Sequence, residues 1–324
     1  MDTPTATALP LQDLGPSQQQ FLKDVLHGLS QPQKSIPSKY FYDEQGSRLF
    51  DAICDLPEYY PTRTELAIMR EYAADMAAGI GPGALLVELG SGSSVKTRML
   101  LDELESPAGY VPVDISREHL ARAAQTLDAT YPTLPVLPVC ADFLQAFELP
   151  TTPTTPRRVV VYFPGSTMGN FERATALRLL KLMRQLAGNG GMLLIGLDLK
   201  KDVAVLERAY NDAQGVTATF NFNLLTHVNR ELEADFDLDG FRHRAVYNSE
   251  HGRVEMHLLS TRSQSVGIAG QQFAFAAGET IHTENSYKYR ADVFAEMAAS
   301  TGFAGDHCWH DAQRWFAVWS FRAV

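Results

Sequence analysis

The run Leu85-Leu86-Val87-Glu88-Leu89-Gly90-Ser91-Gly92-Ser93-Ser94 constrains this chain more than any other stretch. Apolar residues of strand length deliver an acid, then break into two glycines and small polar residues. A helix is expected at once, over residues 95–104. That order carries a nucleotide-like cofactor over the carboxyl end of the first strand of a doubly wound α/β sheet. A third glycine three residues on, which would mark a dinucleotide site, is missing. Acid-x-glycine-x-glycine suits S-adenosylmethionine better, because that cofactor has no pyrophosphate that demands close approach of the helix.

The surrounding pattern agrees. Strands are predicted at 85–89, 110–115, 135–140, 158–163 and 191–197, alternating with helices at 64–79, 95–104, 117–127 and 172–186. Such repeats imply a parallel sheet with helices on both faces. A Pro/Thr-rich loop at 149–156 precedes the fourth strand. Before this unit lie a loose arm (1–16) and a helix opened by the capping box Ser17 and Gln20, with Phe21, Val25 and Leu29 on one face. Residues 39–64 form an irregular aromatic segment.

After Asp198 the texture changes. Asp202 caps a helix with Val203, Leu206 and Tyr210 on one face, and a second helix over 216–233 carries Phe220, Leu224, Val228 and Leu232. Strand-like runs follow at 244–248, 253–260, 265–268 and 271–276. A helix at 291–301 and strands at 307–310 and 315–321 close the chain. A terminal pair of antiparallel strands fits the methyltransferase form of the sheet rather than the dehydrogenase form. The expected fold is therefore a Rossmann-like class I methyltransferase sheet with a second, mixed α+β substrate domain. Residues 62–199 and 287–324 would form the cofactor domain, and 1–61 and 200–286 the substrate domain, with a ligand in the cleft between them.

Composition excludes several classes of function. At −10, the formal charge opposes a phosphate-backbone partner, so no nucleic acid is expected. No apolar run approaches about 18 residues, so no membrane span is expected. A basic-then-apolar leader is absent at the N-terminus, and the expected location is cytoplasmic. Cys54, Cys140 and Cys308 are scattered without metal-ligand spacing, which fits reduced, packed thiols and no metal.

Several positions could carry chemistry. Asp114 ends the second strand, where a carboxylate either faces ribose hydroxyls or caps the next segment. Asp142-Phe143 follows the third strand, with an acceptor for an adenine amino group and a ring to cover the base. Lys96 opens the first helix, where it either holds a carboxylate or is simply exposed. Asn170, in the loop after the fourth strand, can donate and accept, or close a turn. In Thr283-Glu284-Asn285-Ser286, residues two apart share one strand face. A carboxylate and a hydroxyl together recognise a ring with two N–H groups, though an exposed strand edge has the same pattern. The run Leu56-Pro57-Glu58-Tyr59-Tyr60-Pro61-Thr62 is too aromatic for a plain linker, yet aromatic packing at a domain junction also explains it. Tyr210 and Met256 sit in apolar patterns and by default belong to the core.

Seven segments, taken in order, resemble the histidine-specific, S-adenosylmethionine-dependent Nα-methyltransferases of ergothioneine biosynthesis. They are Lys39-Tyr40-Phe41-Tyr42-Asp43, residues 56–64, 87–98, 163–170, Arg208-Ala209-Tyr210-Asn211-Asp212-Ala213, 215–221 and 283–290. The resemblance implies an enzyme that converts L-histidine to Nα,Nα,Nα-trimethyl-L-histidine (hercynine) by three methyl transfers. The alternative substrate is another aromatic amino acid, such as a tryptophan derivative. It further implies that Gly90, Lys96, Asp114, Asp142 and Phe143 bind the cofactor, and that Asn170 and Tyr210 hold the substrate carboxylate. Tyr59, Glu284 and Ser286 would meet the imidazole with Met256 as a wall, and Tyr42 would lie near the amine as the catalytic residue. Pro164, Phe171, Asn285 and Tyr287 depart from the family's pattern beside these positions. A monomer acting on a small molecule is expected.

Overall fold

The computed structural model describes residues 9–92 and 95–324. Residues 1–8 of the expected arm, and Ser93 and Ser94 of the glycine-rich turn, lie outside the described residues. In chain order the elements are β1 (Gln12–Leu14), α1 (Gln18–Leu29), α2 (Glu44–Cys54), α3 (Tyr60–Ile80), β2 (Ala84–Leu89), α4 (Val95–Leu101), β3 (Gly109–Asp114), α5 (Arg117–Thr130), β4 (Val139–Ala141), β5 (Arg158–Phe163), α6 (Arg173–Ala187) and β6 (Met192–Asp198). Then follow α7 (Val203–Ala209), α8 (Val216–Leu232), β7 (Phe241–Asn248), β8 (Arg253–Ser260), β9 (Gln264–Ile268), β10 (Gln271–Phe275), β11 (Thr280–Tyr287), α9 (Ala291–Ala299), β12 (Phe303–His310) and β13 (Phe316–Ala323).

Eight strands form one sheet in the order β1-β4-β3-β2-β5-β6-β13-β12. Only β13 runs against the others, antiparallel to both β6 and β12. Every residue of β2 and β6 is buried, as a central parallel strand covered by helices on both faces must be. The order reverses between β3 and β5 on either side of β2. In an open α/β sheet a ligand binds in the crevice at such a switch point, beyond the carboxyl ends of the strands. A three-stranded antiparallel sheet, β11-β8-β7, and the hairpin β9-β10 belong to a second domain with its own core, into which α1, α2 and α8 pack. Among the described residues no helix is long and apolar enough to cross a membrane.

Local signals hold where the cap or the face is explicit. The Ser17 hydroxyl accepts from Gln20 N–H, and Phe21, Val25 and Leu29 are buried. The Gln20 amide does not complete the capping box; it donates to Asp24 at 2.6 Å. Asp202 caps α7 and Leu206 is buried, but Val203 stands exposed on the solvent side.

The structure corrects other expectations. Residues 12–14 are a parallel edge strand beside β4, so part of the arm assigned to the substrate domain lies in the large sheet. The segment 39–64 is not irregular: it holds a 3-10 turn (Ser38–Phe41), all of α2, and the start of α3 four residues earlier than expected. Asp43 caps α2 by accepting from Gly46 N–H at 2.7 Å. Helix α4 stops at Leu101, and the strand expected over 135–140 pairs as a ladder only at 139–141, with an isolated bridge at Val136. Pro135 and Pro138 explain the shortening, because proline has no N–H for the ladder.

Candidate active site

A cavity of about 500 Å³ opens at the carboxyl end of β2. Gly90 and Gly92 both adopt positive φ, 73° and 48°, which glycine alone reaches without strain. The turn is fastened to the next strand: Gly90 N–H and Ser91 N–H both donate to Val113 O, at 2.8 and 3.2 Å. Beneath it the motif's acid, Glu88, is only 1% exposed and accepts from Thr97 Oγ1 at 2.6 Å and from Tyr110 Oη. Burial pushes its pKa up to about 7 against those two hydrogen bonds.

All five expected cofactor positions line this cavity. Asp114 at the end of β3 accepts from Ser116 N–H at 2.9 Å and from Gly92 N–H at 3.1 Å. Burial raises its pKa in spite of both donors. Asp142 follows β4, caps Leu144 N–H at 3.0 Å and pairs with Lys39 at 3.0 Å. Phe143 packs edge-on to Phe163 and Phe171. Lys96 is not a free surface cation, for its ammonium lies 2.6 Å from Glu65, a fully buried carboxylate. Burial would lower the Lys96 pKa, but Glu65 outweighs it and holds the group charged. Glu65 also accepts from Gly165 N–H at 3.0 Å, so one acid ties α4 to the loop after β5.

A smaller chamber of about 40 Å³ adjoins the cavity, space for about three waters. Tyr42, Tyr59 and Asn170 line both and mark the junction. Tyr210, Met256, Glu284 and Ser286 line the inner chamber. Glu284 pairs with Met256 across the β11–β8 ladder, and Ser286 lies two residues on, so the three rise on one face. The Glu284 carboxylate makes no hydrogen bond among the described residues, and burial pushes its pKa up to about 8 while Lys288 opposes the rise. Burial likewise lifts the Tyr42 and Tyr59 hydroxyls well above the ordinary tyrosine value, so both stay protonated. Every predicted site residue thus falls on one of two contiguous spaces.

Sequence reasoning missed the layer beneath. Lys288 is buried and lies 2.8 Å from Asp198, at the end of β6. Lys201 also pairs with Asp198 and donates to Tyr60 Oη at 2.8 Å, while Tyr60 Oη donates to Asp198 at 2.6 Å. A signal for Lys288 was present: residues 284, 286 and 288 share the period of two. Lys39 sat in a matched segment and gave no sign of its partner, 103 residues away.

The sheet order, the glycine turn at its switch point and the acid ending the second strand define a class I S-adenosylmethionine-dependent methyltransferase. The residues fit that cofactor. Beside the turn stand the Asp114 carboxylate at the end of β3, Asp142 and Phe143 after β4, and a cavity of nucleoside size. The chain belongs to the family described as "Histidine-specific methyltransferase, SAM-dependent", whose sequence profile matches residues 21–323. It is 45% identical over 294 residues to the histidine N-alpha-methyltransferase of Mycolicibacterium smegmatis, covering 89% of this chain and 90% of that protein. Identity to the Mycobacterium tuberculosis protein of the same name is 42%, with the same coverage. A more distant relative is ergothioneine biosynthesis protein 1 of Neurospora crassa, 30% identical over 83% of this chain and 31% of that longer protein.

Proposed function

We propose that this chain transfers methyl groups from S-adenosylmethionine to the α-amino nitrogen of L-histidine. Three successive transfers give Nα,Nα,Nα-trimethyl-L-histidine, the first step of ergothioneine biosynthesis. One observation carries the substrate reading. Glu284, Ser286 and Met256 share a strand face that lines a chamber adjoining, at Tyr42, Tyr59 and Asn170, the cavity at Gly90.

In this reading residues 62–199 and 287–324, with the edge strand 12–14, hold the cofactor through Gly90, Lys96, Asp114, Asp142 and Phe143, and residues 17–61 and 200–286 form the substrate domain. Asn170 and Tyr210 take the substrate carboxylate. Glu284 and Ser286 take the ring, with Tyr59 and Met256 as walls. The protein works as a cytoplasmic monomer on a small molecule, with no nucleic-acid partner.

Bound, the cofactor supplies an electrophilic methyl on a sulfonium sulfur. The residues of the chain contribute by orientation, which in ideal cases is worth about 7–11 kcal/mol. Gripping the substrate at both carboxylate and ring leaves the amine one direction to face, toward the cavity at Gly90. The amine must lose a proton to solvent water before each attack. Tyr42, protonated and without a hydrogen-bond partner among the described residues, positions the nitrogen through its hydroxyl and does not act as a strong base. No covalent intermediate is needed, and among the described residues no His/Cys/Asp/Glu cluster could hold a metal.

The test is incubation of purified protein with methyl-labelled cofactor and a panel of amino acids. Histidine should carry the label, ending as the trimethyl product by mass spectrometry. Efficient labelling of tryptophan or tyrosine with histidine inert would transfer the proposal to another aromatic amino acid.

A further inference from the structure

Lys288 follows Glu284 and Ser286 on the period of the strand, and its side chain is wholly buried beneath them. An ammonium has three N–H donors and no acceptor. All three are committed: to Asp198 Oδ2 at 2.8 Å, to Ser286 Oγ at 2.7 Å and to Tyr210 Oη at 3.1 Å. The two hydroxyl oxygens are themselves 2.7 Å apart. Hydrogen counting then restricts what this pair can offer. Each oxygen already accepts from Lys288, and one of the two hydroxyl hydrogens bridges them. The pair therefore presents one donor and one acceptor to the chamber, from opposite hydroxyls, and never two donors.

Resting on the histidine reading above, we infer that Lys288 is a positioning residue that sets ring specificity by coupling the two ends of the substrate. When the substrate carboxylate draws the Tyr210 hydrogen, Ser286 must give its own hydrogen to Tyr210. Ser286 is then left with one lone pair facing the ring. The ring then turns one N–H to Ser286, and its other nitrogen shares a proton with Glu284. A basic ring takes that proton, so histidine binds in its imidazolium form, whereas a weakly basic ring leaves the proton on the carboxyl group.

The charged surroundings support this polarity. Asp198, from β6, stands between Lys288 and Lys201, and Tyr60 of α3 closes that network. Tyr59 and Tyr42, which face Glu284 from the N-terminal segments, are hydroxyl groups whose pKa values are raised by burial. His243 of β7 is turned to the Tyr210 carbonyl at 3.0 Å, away from the hydroxyl pair. Lys288 remains charged: burial would lower its pKa, but Asp198 outweighs burial. Glu284 holds a proton up to about pH 8 in the empty chamber, and that proton passes to the ring on binding. At higher pH the proton must come from solvent, and affinity falls about tenfold per pH unit.

The experiment uses the full chain with S-adenosylhomocysteine. It compares L-histidine with its isostere β-(1,2,4-triazol-3-yl)-L-alanine, a neutral ring with one N–H, by calorimetry from pH 7 to 9. The triazole should bind wild type at least about tenfold more weakly than histidine, because its weakly basic nitrogen leaves the proton on Glu284 and forgoes a hydrogen bond between charged partners. Lys288→Met frees Ser286 to donate, so it should narrow that gap and flatten the climb of the histidine Kd above pH 8, with S-adenosylhomocysteine binding unchanged. Equal affinity of wild type for the two rings at pH 7 overturns the inference, whether or not the variant folds. So does an unflattened climb in a folded Lys288→Met protein. If histidine neither binds nor is methylated, the substrate reading fails and this inference with it.

Discussion

Glu284 on β11 and Met256 on β8 are cross-strand partners, so a carboxylate and a thioether enter the inner chamber side by side. Met256 is 2% exposed, and Glu284 is the one carboxylate that lines the chamber among the described residues.

Replacing Glu284 by alanine should therefore damage substrate recognition selectively. A hydrogen bond to a charged group is worth about 1.5–3 kcal/mol, so the histidine KM should rise by roughly 10- to 100-fold. Cofactor affinity, measured by calorimetry, should hold. Equal losses in both would remove Glu284 from the recognition role.

Asp114→Asn is the counterpart on the cofactor side. Asp114 already accepts from Ser116 N–H and Gly92 N–H, and an amide keeps a single acceptor oxygen for three duties. The expected result is cofactor binding weakened by about tenfold or more. At saturating cofactor the histidine KM should stay near wild type. A histidine defect with normal cofactor binding would mean that the acid serves the other ligand.

Lys96→Met strips the ammonium from Glu65, which is fully buried. Breaking such a pair costs about 3–5 kcal/mol because the remaining charge has no escape. Urea unfolding should show the loss, and Glu65→Gln on top of Lys96→Met should restore most of it. Cofactor affinity should stay low in the double variant. If affinity returns along with stability, Lys96 acts only through the fold.

Stability should depend on pH through Glu284. Its pKa rises from an ordinary 4.5 in the unfolded chain to about 8 on folding, by burial. The folded state thus holds a proton that the unfolded chain has lost. Its contribution is complete below about pH 4.5 and disappears as pH climbs through 8. Glu284→Gln should gain on wild type in urea midpoints measured from pH 5 to 8.5. Glu88, raised to about 7 by burial, adds a slope of the same sign that persists in both proteins. Parallel curves for wild type and variant would contradict the buried, unpaired carboxylate.

Much of this was legible in the sequence because its signals are local. The glycine turn, the strand-helix alternation and the cap at Ser17 each depend on a few neighbouring residues, and the strand β5 was located residue for residue. Eight of the twelve candidate positions lie in the seven segments of resemblance, Asp114, Asp142 and Phe143 follow strand ends, and all twelve line the two spaces. Helix α2 was not seen, although Leu49, Phe50, Ile53 and Cys54 recur at helical spacing against the core and Asp43 caps its start. Much of its packing comes from α8, far along the chain, with Asn223 donating to Asp43 at 2.8 Å. The strand at 12–14 escaped for a similar reason. Three exposed residues carry no pattern, and only the edge of β4 makes them a strand. The ion pairs of Lys96, Lys39 and Lys288 join residues 31 to 103 positions apart, which no window reaches.

The most direct test of the account is a crystal structure of the protein with S-adenosylhomocysteine and L-histidine. The account predicts the imidazole between Glu284 and Ser286, the carboxylate at Asn170 and Tyr210, and the α-nitrogen beside Tyr42, aimed at the cofactor sulfur. A histidine bound with its ring toward Gly90 and its amine buried against Glu284 would contradict it.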